Sequence, residues 1–235
     1  MSPFTTKPDK GSSLVFPDAG YVGVPAKVAA LHSRHLELPQ EFIYLDMLAL
    51  IGTIIDGRWE VAFGDLSSRT TLYILKVARS GWSRKSTSTR LCEKLVQRAV
   101  IHTGGLSEMA DGVPSPLEII PGVGSAEGLM QLFRHQVTNR DGILHWVGNP
   151  RLVVRFDEFR RFEKKSKGDS AVLLHMLNEL FDSIHYTNAT RDETRVSRID
   201  NAHLGFISCT TDESFQHLVV CVRQMADYDV RDGPA

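Results

Sequence analysis

Two adjacent residues, Lys85 and Ser86, end a basic, serine-rich turn between an apolar run at 70–78 and a segment with helical spacing at 85–101. Backbone N–H groups at a helix N-terminus, together with a lysine and a hydroxyl, bind phosphate and phosphate-bound Mg²⁺. The order of strand, turn, Lys-Ser and helix therefore predicts a phosphate loop at residues 79–87. The nucleotide-binding residues expected from this loop are Arg79, Ser80, Gly81, Trp82, Ser83, Arg84, Lys85, Ser86 and Thr87.

Two positions of this loop depart from the usual pattern, because Arg79 and Arg84 stand where such loops carry glycine. An arginine before the lysine restricts the backbone and adds bulk near the phosphates. A guanidinium beside polyphosphate would instead donate charge-assisted hydrogen bonds. The turn by itself leaves two interpretations open: a nucleotide site, and a basic turn that begins an ordinary helix.

An acidic pair, Asp157-Glu158, follows a mainly apolar strand predicted at 151–156. Phosphoryl transfer needs an acidic group near Mg²⁺ and a second one to orient the attacking water. These requirements give catalytic roles to Lys85 and Glu158 and Mg²⁺ roles to Ser86 and Asp157. A solvated strand end is the plain alternative for the pair.

A second apolar strand, predicted at 203–211, ends in small polar residues. P-loop ATPases place a polar sensor of the γ-phosphate at such a strand end. The sensor candidates are Ser208, Thr210 and Thr211. Strand ends are also rich in serine and threonine because of turn formation, so this pattern has a plain structural interpretation as well.

The elements that must position these residues alternate along the chain. Helical spacing predicts helices at 25–35, 39–55, 85–101 and 169–183, with a further helix after Ser125 as N-cap and another from about 212. Alternation and β-branched runs predict strands at 58–64, 70–78, 151–156 and 203–211, a short strand at the start of the segment 117–135, and a hairpin from 183–188 and 194–199. We expect the strand at 70–78 to be buried on both faces. The helix at 169–183 has a predicted apolar stripe of Leu173, Leu174, Leu177, Leu180 and Phe181.

This alternation predicts an α/β fold with a mainly parallel sheet flanked by helices. The domain organisation expected is a flexible tail at 1–20, a helical region at 21–57 packed on the core, and the core itself at 58–235.

Composition excludes several classes of protein. The 235 residues carry a formal net charge of -1, which gives no overall argument for a polyanionic partner. Three widely spaced cysteines do not make a disulfide framework and indicate a reducing compartment, so the cytoplasm is the expected location. The longest apolar stretch, at 42–55, is shorter than the roughly 20 residues that span a bilayer, which predicts no membrane partner.

Four ordered motifs, "LYILKVARSGWSRKST", "GVGSAEGL", "RLVVRFDEF" and "HLGFISCTTDESF", resemble an uncharacterised family of P-loop proteins. Its members occur in bacteria, plasmids and phages, beside or fused to primase-polymerase modules, as helicase-like or ATPase domains. In that family the loop commonly ends in Arg-Lys-Ser/Gly-Thr, which Arg84 matches, and an acidic residue before phenylalanine ends the strand, which Glu158 and Phe159 match.

The resemblance implies a RecA-like or AAA-like P-loop NTPase fold with ATP and Mg²⁺ as cofactors. It further implies an ATPase domain of a replication helicase of a mobile element or phage, with DNA, a primase-polymerase module and a homo-oligomeric ring as partners. Family members continue past the last helix into another strand, so we expect this chain to lack that strand.

Basic side chains follow the acidic strand end and also lie on the predicted hairpin. The residues concerned are Arg160, Arg161, Lys164, Lys165, Lys167, Arg191, Arg195 and Arg198. Arg195 and Arg198 are candidates for an arginine finger or a nucleic-acid contact; a solvated charged surface is the plain interpretation. Two rival functions remain open: a non-hydrolysing nucleotide-binding or docking module, and a nucleic-acid-binding domain that uses the basic loop without nucleotide.

Overall fold

The computed structural model describes residues 16–79, 84–102, 117–133, 135–138, 144–160, 171–187 and 198–216. Within these ranges the chain is an α/β fold in which helices flank a four-stranded parallel sheet. The prediction of an α/β fold with a mainly parallel sheet is confirmed at this level. In chain order the elements are α1 (Gly23–Leu36), α2 (Gln40–Ile55), β1 (Val61–Phe63), β2 (Leu66–Ser68), β3 (Tyr73–Val77), α3 (Lys85–His102), β4 (Glu118–Ile120), α4 (Ala126–Leu132), β5 (His135–Thr138), β6 (Leu144–Val147), β7 (Arg151–Phe156), α5 (Ala171–Asp182), β8 (Tyr186–Thr187), β9 (Arg198–Ile199) and β10 (His203–Thr210).

The parallel sheet has the strand order β3-β10-β7-β4. The last of the described strands, β10, lies between β3 and β7 and pairs with both in parallel, so that Thr210 faces Val77 and Ser208 faces Phe156. The carboxyl ends of the strands therefore meet at one edge of the sheet, here called the carboxyl edge. The opposite edge, where β7 and β10 begin, is the amino edge.

One face of the sheet is covered by α2 and α3, with α1 packed on α2. Side chains of α2 such as Ile43 and Leu50 are fully buried in a cluster that includes Val153 of β7 and Ile207 of β10. Close approach requires glycine at Gly52, because a Cβ atom there would collide with the Thr70 carbonyl oxygen just before β3. Helix α2 thus lies directly against the central part of the sheet.

The other face is covered by α4 and α5. Leu152 and Val154 of β7 and Leu204 and Phe206 of β10 point to this side, because alternate residues of a strand face opposite ways. The predicted stripe of α5 is partly wrong, since Leu174 and Phe181 are 44% and 43% exposed whereas Met176 is fully buried. The periodicity located the helix, but the part of its surface that packs on the sheet is narrower and rotated.

The strand β3 differs from its prediction in a way that matters for the site. It lies at one end of the described sheet rather than being buried on both faces, and Lys76 is its one buried residue. A β-branched, apolar run predicts a strand, but it does not show how completely other elements cover the two faces of that strand.

Smaller elements complete the described chain. The predicted hairpin is confirmed by the antiparallel pairing of β8 with β9, whereas the hairpins β1–β2 and β5–β6 were not predicted as such. Ser125 accepts a hydrogen bond from the Gly128 N–H at 3.1 Å, which confirms it as the N-cap of α4. Residues 16–20 belong to the predicted tail, yet the Phe16 ring packs 4.8 Å from that of Tyr21. None of the described helices is long and apolar enough to cross a membrane.

Candidate functional site

The carboxyl edge brings together three segments that are far apart in the sequence. The phosphate loop follows β3, the pair Asp157-Glu158 follows β7, and Thr210 ends β10 between them. Crevices at the carboxyl ends of parallel strands are where open α/β sheets bind ligands. Of the loop residues, Ser80, Gly81, Trp82 and Ser83 lie outside the described part of the chain.

Lys85 is the first residue of α3, and its side chain turns back toward the start of the loop. Its Nζ atom donates to the carbonyl of Ala78 and lies 3.4 Å from the carbonyl oxygen of Arg79. Burial lowers the pKa of Lys85, whereas Cys209 and Asp212 act in the opposite direction. The ammonium group therefore links the two ends of the loop, at the N-terminus of an 18-residue helix whose dipole favours anions.

Two hydroxyls follow Lys85 on the first turn of α3. Ser86 is half-buried and Thr87 is exposed, and neither side chain makes a hydrogen bond within the described ranges. Both hydroxyls therefore lie at the helix N-terminus, directly after Lys85.

Arg84 occupies the position at which such loops carry glycine, and its backbone keeps the conformation that glycine favours. Its φ of 44° lies in the left-handed region. Its guanidinium donates to the Leu36 carbonyl at 3.1 Å and lies 3.7 Å from a carboxylate oxygen of Glu37, at the C-terminus of α1. The side chain is therefore directed to the helix α1, where a cation is favourable, and the bulk expected near the phosphates lies elsewhere.

The acidic strand end divides into two carboxylates with different surroundings. Asp157 lies 3.6 Å from Arg90 and 3.5 Å from Arg155. Glu158 is exposed and makes no hydrogen bond or ion pair with any described residue. Within the described residues, Asp157 is thus the carboxylate that lies beside two arginines, and Glu158 is the one without a charged partner.

Arg155, which interrupts the apolar pattern of β7, has a structural explanation. Its Nη1 atom donates to both carboxylate oxygens of Glu93 on α3 at 2.9 Å. This half-buried pair holds α3 against β7, so the phosphate loop and the acidic strand end are fixed relative to one another. Burial raises the pKa of Glu93, against the opposing effect of Arg155.

The three sensor candidates have three different environments. Ser208 donates to the Phe156 carbonyl at 3.2 Å, and Thr211 bonds to Ser214 at 2.8 Å, where the helical turn at 212–216 begins. The buried Thr210 hydroxyl has no hydrogen-bond partner among the described residues. A buried polar group without a partner carries a free-energy cost, so Thr210 is the candidate that a ligand would satisfy.

An open pocket of about 490 Å³ lies beside this edge. It is lined by Arg79, Thr211, Asp212, Glu213 and Gln216. The pocket thus lies between the start of the phosphate loop and the residues that follow β10.

Sequence reasoning missed a buried cluster under the start of α3, here called the carboxyl-edge cluster: Asp46, Lys76, Ser88 and Thr89. Lys76 is 2% exposed and Asp46 is fully buried, and Lys76 Nζ lies 2.7 Å from Asp46 Oδ2. The only signal in the sequence was that two apolar segments each contain one charged residue, and that the two charges are opposite: Asp46 interrupts the α2 run and Lys76 interrupts β3. Nothing in the sequence alone paired them.

The described residues give little support to the predicted metal ligands and arginine-finger candidates. No group of three or more His, Cys, Asp or Glu side chains in the described residues is placed to hold a metal ion. Magnesium usually takes one or two carboxylates plus substrate phosphates, so Ser86 and the acidic strand end fit only as part of a nucleotide complex. Arg198 pairs with Asp200 at 3.0 Å on an exposed hairpin, and Arg195 lies outside the described residues.

Comparison with known proteins adds no assignment. A scan against protein-family models and a search of curated proteins both found no match to this chain.

Proposed function

We propose that this chain is a Mg-ATP-binding P-loop ATPase domain with a RecA-like or AAA-like arrangement. The observation that carries the proposal is the convergence at the carboxyl edge of Lys85, at the start of α3, with the Thr210 hydroxyl and Glu158, neither of which has a partner among the described residues. The strand order supports it, because β10 lies between the loop strand and the acidic strand and can place a polar group between them.

Each residue has a specific role in the proposal. Lys85 and the N–H groups at the start of α3 bind the β- and γ-phosphates, and Ser86 contributes a hydroxyl to the Mg²⁺ that accompanies them. Glu158 orients the attacking water, and Thr210 donates to the γ-phosphate. A helicase or primase-associated role in replication, with DNA as partner, rests on the resemblance of the four motifs.

One observation favours a second candidate, a nucleotide-binding module that does not hydrolyse. Asp157 lies close to Arg90 and Arg155, which reduces its availability to the Mg²⁺ shell. Binding requires the loop and α3, whereas turnover also requires the acidic strand end. The two candidates therefore differ in turnover and agree in binding.

Binding and turnover of Mg-ATP by wild type, Lys85→Ala and Glu158→Gln test the proposal. We expect Lys85→Ala to raise the Kd by roughly 10- to 100-fold, since it removes charge-assisted hydrogen bonds to phosphate. Glu158→Gln should keep the affinity and lower turnover by about 10²-fold or more. Lys94→Ala is the matched control, because Lys94 is an exposed lysine of the same helix.

Each alternative has its own outcome in this experiment. Wild-type binding without turnover would assign the non-hydrolysing module. Absence of Mg-ATP binding, together with DNA binding that Arg79→Ala and Arg84→Ala abolish, would assign a nucleic-acid-binding domain and remove the ATPase proposal.

A further inference from the structure

Lys76 is an unusual residue for its position, because lysines are almost never fully buried unless they are paired. Its side chain leaves the strand β3 toward α2 and α3, and its Nζ atom lies 5.6 Å from the centre of the Phe42 ring. The ammonium group lies within 3.0 Å of four oxygen atoms. These are Asp46 Oδ2 at 2.7 Å, the Lys85 carbonyl at 3.0 Å, Ser88 Oγ at 3.0 Å and Thr89 Oγ1 at 2.6 Å.

Three of the four oxygens belong to the start of α3. Thr89 also donates to the Lys85 carbonyl at 3.2 Å, and Ser88 Oγ lies 2.7 Å from that carbonyl and 2.9 Å from Asp46 Oδ2, so its one proton is donated to either oxygen. The main chain of Lys85 is thus held from beneath by Lys76, while its own ammonium group reaches the start of the loop. Lys85 is therefore held both at its backbone carbonyl and at its side-chain ammonium group.

This arrangement is poorly explained as a device for stability. A buried ion pair contributes little compared with apolar residues of similar volume, because both charges lose their hydration. In addition, the buried Asp46 Oδ1 has no hydrogen-bond partner among the described residues. The cluster instead fixes the position of the start of α3 relative to β3 and to α2.

We propose that Lys76, held by Asp46, is a positioning residue of the phosphate site. It sets the place of the first turn of α3, and with it the N–H groups and the Lys85 side chain that receive phosphate. Lys76 itself is buried and does not contact the ligand. The inference rests on the proposed function, and it makes the helical region before β3 a structural part of the phosphate site through Asp46.

The test replaces the charged pair by an apolar one, in the double variant Lys76→Met/Asp46→Leu. We expect the variant to fold, since apolar replacement of a buried ion pair is often neutral or stabilising. Its Kd for Mg-ATP should rise about tenfold or more, while its affinity for adenosine stays at the wild-type value. A merely structural role would not separate the triphosphate from the nucleoside.

The matched control is Lys94→Met/Asp65→Leu, which removes the same two charges from exposed positions and should bind Mg-ATP as wild type does. Hydrogen exchange provides a second readout. The N–H groups at 85–89 should exchange faster in the Lys76→Met/Asp46→Leu variant, without a matching increase in β7 and β10.

The outcomes distinguish this inference from the function on which it rests. Absence of Mg-ATP binding by wild type overturns both. Wild-type binding together with unchanged affinity in the folded double variant overturns the inference alone, and so does unchanged exchange at 85–89. Where the double variant does not fold, Asp46→Asn preserves the side-chain shape; unchanged Mg-ATP affinity in that variant also overturns the inference.

Discussion

Two buried carboxylates lie near opposite edges of the sheet, and the helix α2 connects them. Asp46 lies within α2 and contacts the start of α3, whereas Asp56 directly follows α2 and contacts the start of β10. The two are ten residues apart (56 minus 46), which corresponds to about 15 Å of helix. Both have cationic partners, yet their hydrogen bonding differs.

Asp56 uses both carboxylate oxygens. Oδ2 accepts from Arg69 Nε at 3.1 Å and contacts His203 Nδ1 at 2.6 Å, and Oδ1 accepts from the Thr70 N–H at 3.2 Å. Arg69 also donates to the carbonyls of Leu180 and Ser183, at 2.7 and 2.6 Å. The amino edge is thus a closed network that ties α2, β10 and α5 together.

Asp46 uses one carboxylate oxygen, and its Oδ1 atom has no partner in the described part of the chain. Burial raises the pKa of Asp46, although Lys76, Ser88 and Thr89 oppose the effect. A buried aspartate with cationic partners therefore occurs in two settings: Asp56, with Arg69 and His203, belongs to a complete network at the amino edge, and Asp46, with Lys76, belongs to the incomplete cluster that we propose orients α3 at the carboxyl edge.

Matched Asp→Asn substitutions test this difference most strongly. Asp56→Asn should lower the free energy of unfolding by about 3–5 kcal/mol, because it breaks a buried pair and leaves Arg69 without its charge partner. Asp46→Asn should cost less, about 1–3 kcal/mol, although it leaves Lys76 without its charge partner, because burial already disfavours the Asp46 charge and Oδ1 has no partner to lose among the described residues. Denaturant unfolding measures both, with exposed Asp65→Asn as the control. A larger loss for Asp46→Asn than for Asp56→Asn would reverse the assignment.

At acid pH, the contribution of the ionised Asp56 to the free energy of unfolding should be lost. Burial acts to raise the pKa of Asp56, but hydrogen bonds from His203 and Arg69 prevail and hold it well below its ordinary value of 3.8. Asp56 therefore stabilises the folded chain above that value. As the pH falls below it, the unfolded chain takes up a proton that the folded chain does not, and the stabilisation declines.

The measurement is the difference in unfolding free energy between wild type and Asp56→Asn, followed from about pH 6 to pH 2. We expect a plateau above about pH 5 and a steady decrease below about pH 4. A difference that stays constant across the whole interval would show that the Asp56 charge does not stabilise the fold.

The smallest expected effect concerns Arg84 at the carboxyl edge. Arg84→Gly should change stability by less than about 1 kcal/mol, because the φ of 44° suits glycine and the lost contacts with α1 are partly exposed. Arg84→Val should cost about 1–2 kcal/mol, because a β-branched residue is strained in the left-handed region. Denaturant unfolding compares the two. Equal losses in both variants would exclude backbone conformation as the cause.

The Kd for Mg-ATP of Arg84→Gly tests separately whether the Arg84 side chain contacts the phosphates. If the guanidinium of Arg84 contacts only the C-terminus of α1, Arg84→Gly should retain the wild-type affinity for Mg-ATP. A loss similar to that of Lys85→Ala would instead place the Arg84 side chain at the phosphates.

Much of the fold could be predicted from local pattern. The strand at 151–156 has the predicted bounds, the helix that begins at Lys85 is present, and Ser125 caps α4 as expected. These features depend on residue spacing and on side chains within a few positions of one another. The candidate site was predicted in the same way, from Lys-Ser after one strand and Asp-Glu after another.

Other features required the three-dimensional arrangement. Lys76 and Asp46 are 30 residues apart, and Asp56 and His203 are 147 apart, so no local pattern relates them. The difference in hydrogen bonding between Thr210 and the other two candidates, Ser208 and Thr211, likewise depends on which atoms lie next to each hydroxyl in the folded chain.

The sequence by itself determined the order of strands, turns and helices and the residue types available at each strand end, because hydrophobic periodicity and capping are short-range properties. The tertiary structure decided which charges are paired, that the Thr210 hydroxyl meets no partner among the described residues, and where the Arg84 side chain points. Those outcomes follow from the insertion of β10 between β3 and β7 and from the close packing of α2 on the sheet, which bring distant segments together.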